Sequence, residues 1–193
     1  IDIIKLFKDG FSTGHGVLRE PNDISSYSAL ACIAIQSNQN DQHGGQSIVN
    51  FDYGLAPGVK KTYKKRYFRL LRNALELLGG EHTDKDVDDI RETLKGEGLE
   101  PELDTNPVYD EREKQLLLDR GYDEKEIDKV IEFTKRKAAE ETDKATYQAM
   151  EAFIHNLNTM HSRAGAQTPF SSINYGMDTS TEGRMVMKNI LLV

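Results

Sequence analysis

Two short segments with little charge interrupt a chain that otherwise has the pattern of charged helices. They are DQHGGQSIVNFDYG at 41–54 and AGAQTPFSSINYG at 164–176. In each segment, glycine permits a tight turn, and the alternation of side chains after the turn predicts a short β-strand. Two isolated strands do not make a stable sheet. We therefore expect an α/β fold that is mainly helical here, with the partners of both strands outside this stretch of sequence.

Helical periodicity covers most of the remaining chain. Helix ends are predicted from capping residues: Gly10 closes the first helix, Asn22 or Asp23 opens the second, and Asp123 opens the long one. Thr83 with Asp86 resembles a capping box. The predicted helices are 3–9, 24–40, 57–78, 83–95, 109–120, 123–161 and a last one from Ser180 or Thr181, with Pro57 in the first turn of its helix and a loop at 11–22.

Composition and charge exclude several classes of protein. The chain has 193 residues, 30% of them charged, and a formal net charge of −7. A nucleic-acid binder or an anionic-membrane binder needs a basic surface, so we expect neither kind of partner. The single cysteine, Cys32, rules out an internal disulfide framework and fits a reducing compartment, so we expect a cytoplasmic protein. The apolar residues at both ends of the sequence suggest a piece of a longer polypeptide.

The glycine turns are the strongest candidates for a binding site. Gly44 and Gly45, and the loop around Gly165, offer backbone N–H groups that a phosphate or sugar can approach closely. Arg163 adds a positive charge, and Ser171 and Ser172 add short donors on the following strand. A single turn of this kind most often only reverses the chain. Two such turns, each followed by a polar strand, favour a polar, phosphorylated ligand.

Other reactive residue types have simpler interpretations. Cys32 lies in an apolar helix, which is the setting of an inert buried thiol. The six-residue spacing of His155 and His161 does not suit a metal pair, and we predict no metal site. The basic run at 60–72 is predicted to be a solvated face or to pair with the acidic stretch 81–113; contact with a nucleotide triphosphate is a third alternative, which spacing alone does not show. A stripe on the long helix is predicted to be core or a dimer contact; it comprises Tyr147, Met150, Ile154, Leu157 and His161.

Two long segments resemble the anaerobic (class III) ribonucleoside-triphosphate reductases, a family of glycyl-radical enzymes. They are FKDGFSTGHGVLREPNDISSYSALACIAIQSNQNDQHGGQSIVNFDYGLAPGVKKTY and AFIHNLNTMHSRAGAQTPFSSINYGMDTSTEGRMV. The resemblance implies that 1–193 is a fragment of a catalytic domain, a ten-stranded α/β barrel, without the ATP-cone, glycyl-radical and zinc regions. It also implies reduction of ribonucleoside triphosphates to deoxyribonucleotides by thiyl and glycyl radical chemistry, usually with formate as the reductant.

The resemblance further implies partners and binding residues. A separate activase with S-adenosylmethionine and an iron–sulfur cluster generates the radical, while deoxynucleotides and ATP act as allosteric effectors. The helices 24–40 and 141–161 resemble those of a homodimer interface, and SRAGAQTPFSSIN resembles a specificity loop. We expect no catalytic residue and no bound cofactor in this chain. The substrate-binding residues implied are Gly44, Gly45, Ser162, Arg163, Gln167, Ser171 and Ser172. The alternative is a non-catalytic nucleotide-binding or dimerisation module.

Overall fold

A computed structural model describes residues 1–12, 17–42, 44–80, 82–160, 168 and 170–193 of the chain. This described part is mainly helical, as predicted, with four short strands. The elements in order are α1 (Ile3–Asp9), β1 (Phe11–Ser12), β2 (Val17–Leu18), α2 (Ile24–Asp41), β3 (Gln46–Ile48), α3 (Phe51–Leu77), α4 (Thr83–Gly96), α5 (Pro107–Leu118), α6 (Glu124–Thr159), β4 (Ser171–Ile173) and α7 (Thr181–Leu192).

The chain divides into two compact units, each with its own core. Unit 1 comprises Ile1–Thr62 and Asp143–Val193, and unit 2 comprises Tyr63–Thr142. In unit 1 the fully buried side chains include Ile24, Phe51 and Phe153. Unit 2 is helical throughout, and its core cluster of buried side chains includes Tyr67, Leu71, Leu75, Val87, Ile90, Leu94, Tyr109, Leu117 and Ile127.

The two predicted strands pair with each other. β3 and β4 run parallel, with Gln46 opposite Ser171, Ser47 opposite Ser172, and Ile48 opposite Ile173. The expectation that both strands have their partners outside the chain is therefore wrong. The stretch 11–22, predicted as a loop, contains the antiparallel pair β1 and β2. A ten-stranded barrel is not seen in the described residues, which form two sheets of two strands each.

The first strand is shorter than its sequence pattern suggests. We predicted a strand through 47–55 and a helix from Pro57, but β3 ends at Ile48 and α3 begins at Phe51, with Pro57 inside it. Phe51, Leu55 and Val59 are fully buried. Their spacing of four residues places them on one face of a helix, so the apolar residues that suggested a strand also fit a helical period.

Most predicted helix ends are confirmed by their capping contacts. Gly10 closes α1 with a positive φ of 72°, Asp23 accepts from Ser26 N–H, and Ser180 accepts from Gly183 N–H. The capping box at Thr83 is wrong. His82 occupies the N-cap of α4 without a side-chain capping bond, and the Thr83 hydroxyl donates to the Gly80 carbonyl at 3.0 Å.

The predicted stripe on α6 is only partly buried. Met150 is buried, whereas Tyr147, Ile154 and Leu157 are half-buried; His161 lies outside the described residues. The buried face instead carries smaller side chains together with one aromatic ring, namely Ala145, Thr146, Ala149 and Phe153. Small residues allow close approach to α2, where the Ser28 hydroxyl donates to the Ala149 carbonyl at 2.8 Å.

Candidate functional site

The Gly44–Gly45 turn lies at the amino ends of β3 and β4. Gly44 has φ of +106°, a conformation that glycine adopts without strain, and a Cβ there would touch nothing. A Cβ on Gly45 would lie 3.1 Å from Cδ1 of Phe170, so a larger residue at this position would require the Phe170 ring to shift. Gln46 N–H donates to the Phe170 carbonyl at 2.8 Å. The structure therefore brings the two segments of low charge together at one edge of the sheet.

A side chain from α2 supports this turn. The Asn38 amide donates to Oε1 of Gln46, and Nε2 of Gln46 donates to the Gly44 carbonyl at 3.2 Å. Gln46 is buried, so its polar groups require partners inside the protein. The contacts link α2 through Gln46 to the backbone of Gly44, which leaves the turn firmly positioned at the start of β3.

The two serines of β4 lie on opposite faces, as their alternation predicts. Ser172 is exposed and pairs in register with Ser47, whereas Ser171 is half-buried on the face that carries Ile48 and Ile173. Two hydroxyls, those of Ser47 and Ser172, thus stand side by side on one face of the sheet. Sequence reasoning missed Ser47 because its position beside Ser172 follows only from the pairing of β3 with β4.

Part of the predicted site lies outside the described residues. This applies to Ser162, Arg163 and Gln167, and also to the loop glycine Gly165. The structure therefore brings together Gly44, Gly45, Ser171 and Ser172 from the predicted set. Phe170, which the sequence analysis did not select, is 82% exposed directly beside the Gly45 turn. An exposed ring next to a bare turn offers a flat apolar surface for a ligand.

The carboxyl ends of the same strands are tied together by Asp52, which has no exposed surface. Oδ2 accepts hydrogen bonds from the N–H groups of Gly176, Met177 and Asp178, at 2.8, 3.0 and 2.9 Å. Oδ1 accepts from Tyr53 N–H at 3.0 Å. Burial by itself would raise the pKa of Asp52, but these four donors outweigh it and hold the pKa below its usual value. Asp52 is therefore a buried carboxylate that remains charged.

Cys32 has the inert environment that its sequence context predicts. The side chain is buried, and its Sγ lies 3.7 Å from the Phe153 carbonyl oxygen. Burial raises the pKa of the thiol to about 12. A thiol that stays protonated at neutral pH is a poor nucleophile. In the ranges that the structure describes, no three His, Cys, Asp or Glu side chains form a group able to hold a metal ion.

The basic run on α3 pairs with acidic residues in unit 2, which confirms one of the alternatives predicted for it. Lys64 pairs with Glu100, and Arg72 pairs with both Asp84 and Asp88. One further partner, Glu141, lies beyond the predicted acidic stretch and contacts both Arg66 and Arg69. These contacts account for much of the basic run without a nucleotide.

Unit 2 also contains a buried carboxyl group that sequence reasoning missed. Glu113 has no exposed surface and accepts hydrogen bonds from the hydroxyls of Tyr67, at 2.5 Å, and Tyr109, at 3.0 Å. Burial is the main reason that the pKa of Glu113 rises to about 7, although both hydroxyls act in the opposite direction. In the sequence, Glu113 cannot be told apart from the many exposed acids around it.

Comparison with known proteins identifies the class to which this arrangement belongs. The sequence matches the family of reductases described as anaerobic ribonucleoside-triphosphate reductase over residues 1–193. Relatives with that name occur in Enterobacteria phage T4, at 23% identity, and in Salmonella typhimurium and Escherichia coli, each at 24%. Each match covers 99% of this chain but only 19–22% of the relative.

The chain therefore belongs to the anaerobic ribonucleoside-triphosphate reductase family. It spans about a fifth of the length of the curated relatives that it matches. In the described part of the chain, no helix has the length and apolar character required to cross a membrane.

Proposed function

We propose that this chain is part of an anaerobic ribonucleoside-triphosphate reductase and supplies one wall of its nucleotide site. The observation that carries the proposal is the parallel pairing of β3 with β4. It joins two segments of low charge that are far apart in sequence, within a family match that covers the whole chain. The reaction proposed for the complete protein is conversion of ribonucleoside triphosphates to 2′-deoxyribonucleoside triphosphates.

The edge at the amino ends of the strands has groups suited to a nucleotide. The backbone N–H groups at Gly44 and Gly45 are accessible to an oxygen of a phosphate or sugar, because neither glycine has a side chain in the way. On the sheet face, Ser47 and Ser172 supply hydroxyls that can donate to a ligand or accept from it. The half-buried Ser171 is on the packed face, so we assign it a supporting role.

The remaining substrate and effector residues are proposed from the family resemblance. Ser162, Arg163 and Gln167 form part of the proposed specificity loop, in which Arg163 meets a phosphate and Gln167 a base edge. Deoxynucleotides or ATP would act as effectors. We further propose that α2 and the second half of α6 lie near a homodimer interface, and that 1–193 forms part of a ten-stranded barrel.

The radical chemistry is proposed to reside in other parts of the complete protein. The glycyl radical and the zinc site would lie outside this chain, formate would serve as reductant, and a separate activase with S-adenosylmethionine and an iron–sulfur cluster would install the radical. No residue of this chain is proposed as catalytic. The inert setting of Cys32 supports that view, because thiol radical chemistry needs an accessible sulfur.

The proposal is tested with the reductase polypeptide that contains this chain, assayed without oxygen together with its activase and formate. We expect reduction of ribonucleoside triphosphates. Ser172→Ala should raise KM about two- to tenfold, as expected for loss of one hydrogen bond, with a smaller change in kcat. The matched control is Thr93→Ala, which removes an exposed hydroxyl in unit 2 that donates to the Asp89 carbonyl.

Three outcomes would count against the proposal. Failure of the activated polypeptide to reduce any ribonucleotide, despite saturable nucleotide binding by calorimetry, would favour the non-catalytic binding module. Self-association without nucleotide binding would favour the dimerisation module. Equal KM values for the wild type, Ser172→Ala and Thr93→Ala would remove this face of the sheet from the nucleotide site.

A further inference from the structure

The turn after β4 is held in place by backbone hydrogen bonds as well as by the side chain of Asp52. Asn174 N–H donates to the Ile48 carbonyl at 2.8 Å, and Phe51 N–H donates to the Asn174 carbonyl at 3.0 Å. These bonds extend the pairing of β3 and β4 beyond their last residues. Both strands end at the same edge of the sheet, and the chain continues from β3 into α3 and from β4 into α7. In α/β proteins, the carboxyl ends of parallel strands are where ligands are usually bound.

Asp52 supplies the contact that fixes the conformation of this turn. Three successive N–H groups, from Gly176 to Asp178, point at one oxygen of its carboxylate. Consecutive amides that converge in this way form a nest, which ordinarily holds an anion. Here the anion is a side chain of the same protein. Because a buried charge is costly without such donors, the carboxylate and the nest require each other.

The effect of the carboxylate extends from the turn to the next helix. Asp178, itself buried, accepts from Ser180 N–H at 2.9 Å, and Ser180 in turn caps α7. On the other side, the Tyr53 hydroxyl donates to the Met177 carbonyl at 3.0 Å. The contacts form a continuous series from the first turn of α3, through the nest, to the first turn of α7.

We propose that Asp52 is a positioning residue for the nucleotide site, because its carboxylate sets the course of residues 174–178 where β4 leaves the sheet. The effect of Asp52 on nucleotide reduction rests on the proposed function. Its effect on the conformation of residues 174–178 does not. The turn exposes the side chains of Tyr175 and Met177 at the carboxyl edge of the sheet, where a nucleotide lying along the Ser47 and Ser172 face from the Gly44–Gly45 turn would meet them. Asp52 lies beneath them and acts on a ligand only through the turn that it holds.

Two readouts test this role in the reductase polypeptide that contains the chain. The first is amide hydrogen exchange, measured by mass spectrometry, in a peptide covering 174–180. We expect Asp52→Asn to speed exchange of the Gly176, Met177 and Asp178 amides by about tenfold or more, since the charged acceptor is lost. The second is kinetics, where KM for the ribonucleotide should rise about tenfold or more with a smaller fall in kcat.

The matched control is Asp123→Asn in unit 2. Asp123 also uses one carboxylate oxygen to accept from consecutive N–H groups, those of Lys125 and Glu126. We expect this variant to lose stability without a change in KM. A second variant, Tyr53→Phe, removes only the bond to the Met177 carbonyl and keeps the buried charge. It should move KM in the same direction as Asp52→Asn, by a smaller factor.

The outcomes separate this inference from the proposed function. Unchanged exchange at 176–178 in Asp52→Asn would overturn the role of Asp52 in fixing this turn. Faster exchange with wild-type KM would overturn the positioning role and leave Asp52 a structural residue. Absence of ribonucleotide reduction in the wild type would overturn the proposed function, and the exchange experiment would still decide whether Asp52 fixes the turn.

Discussion

Asp52 in unit 1 and Glu113 in unit 2 are both carboxyl groups without exposed surface, but their pKa values shift in opposite directions. Four backbone N–H groups surround Asp52 and keep it charged. Glu113 receives two tyrosine hydroxyls, which do not offset the cost of burial. The contrast shows what each group does in its unit. Asp52 orders a segment of backbone between two elements, whereas Glu113 joins side chains that already belong to packed helices.

The largest effect expected from this contrast is the pH dependence of the free energy of unfolding of unit 2. Glu113 has a folded pKa of about 7, above its unfolded value, so the folded state binds more protons between these values. The free energy of unfolding should therefore fall as pH rises from about 4.5 to about 7, by at most about 3 kcal/mol. Asp52 has the opposite sign, because its lowered pKa gives stability that is lost in acid.

The measurement is urea unfolding at pH 5 and pH 8, followed by circular dichroism. Glu113→Gln should flatten the profile, because its neutral amide can still bond to Tyr67 and Tyr109 without a charge to bury. Glu111→Gln, at an exposed position on the same helix, is the control and should keep the wild-type slope. A Glu113→Gln variant with the wild-type pH slope would contradict the assignment of this titration to the buried carboxyl group.

A smaller effect compares a glycine in each unit. A Cβ on Gly183 in α7 would lie 2.3 Å from Cγ of Asp178, which is buried and already hydrogen-bonded to Ser180. Gly183→Ala should therefore cost about 1–3 kcal/mol of unfolding free energy. A Cβ on Gly96, in the last turn of α4, would touch nothing, so Gly96→Ala should stabilise by up to about 1 kcal/mol.

Thermal unfolding of the two variants decides between tight and open packing at these sites. Opposite changes in Tm are expected, a fall for Gly183→Ala and a rise for Gly96→Ala. Equal changes in the same direction would mean that the contact between α7 and the Asp178 turn is not as close as the structure has it.

The smallest effect concerns Cys32, a third buried titratable group, whose pKa rises to about 12 because burial opposes its ionisation. Cys32→Ala should cost about 1 kcal/mol, as is typical for a small buried substitution, and leave kcat within about twofold of wild type. Anaerobic nucleotide reduction by the variant enzyme checks this. A loss of activity without a loss of folded protein would give Cys32 a chemical role. It would contradict the proposal that this chain has no catalytic residue.

Sequence reasoning was most successful where the signal is local. The capping residues Asp23 and Ser180 and the glycine at Gly10 each act on backbone within three residues, so their patterns predict the helix ends directly. The start of α3 was predicted wrongly because the apolar residues from Phe51 onward fit both a strand and a helix. The helix prevails because it buries Phe51, Leu55 and Val59 together.

The candidate site was predictable in part. The Gly44–Gly45 turn and the alternation of Ser171 and Ser172 follow from short patterns. The pairing of Ser47 with Ser172, and the contact of Asp52 with the turn at 176–178, join residues that are far apart in the chain. No periodicity or spacing reports such contacts. The family resemblance supplied the proposed chemistry, and the structure adds which of the separate segments meet.

The central claim is that the nucleotide contacts the β3 and β4 segments of unit 1 and leaves unit 2 untouched. Hydrogen exchange of the reductase polypeptide, measured with and without a saturating ribonucleoside triphosphate, tests it most directly. We predict slower exchange in peptides covering 44–54 and 168–178, and no change in those covering 83–120. Slower exchange confined to 83–120, with none in the two strand segments, would contradict the account.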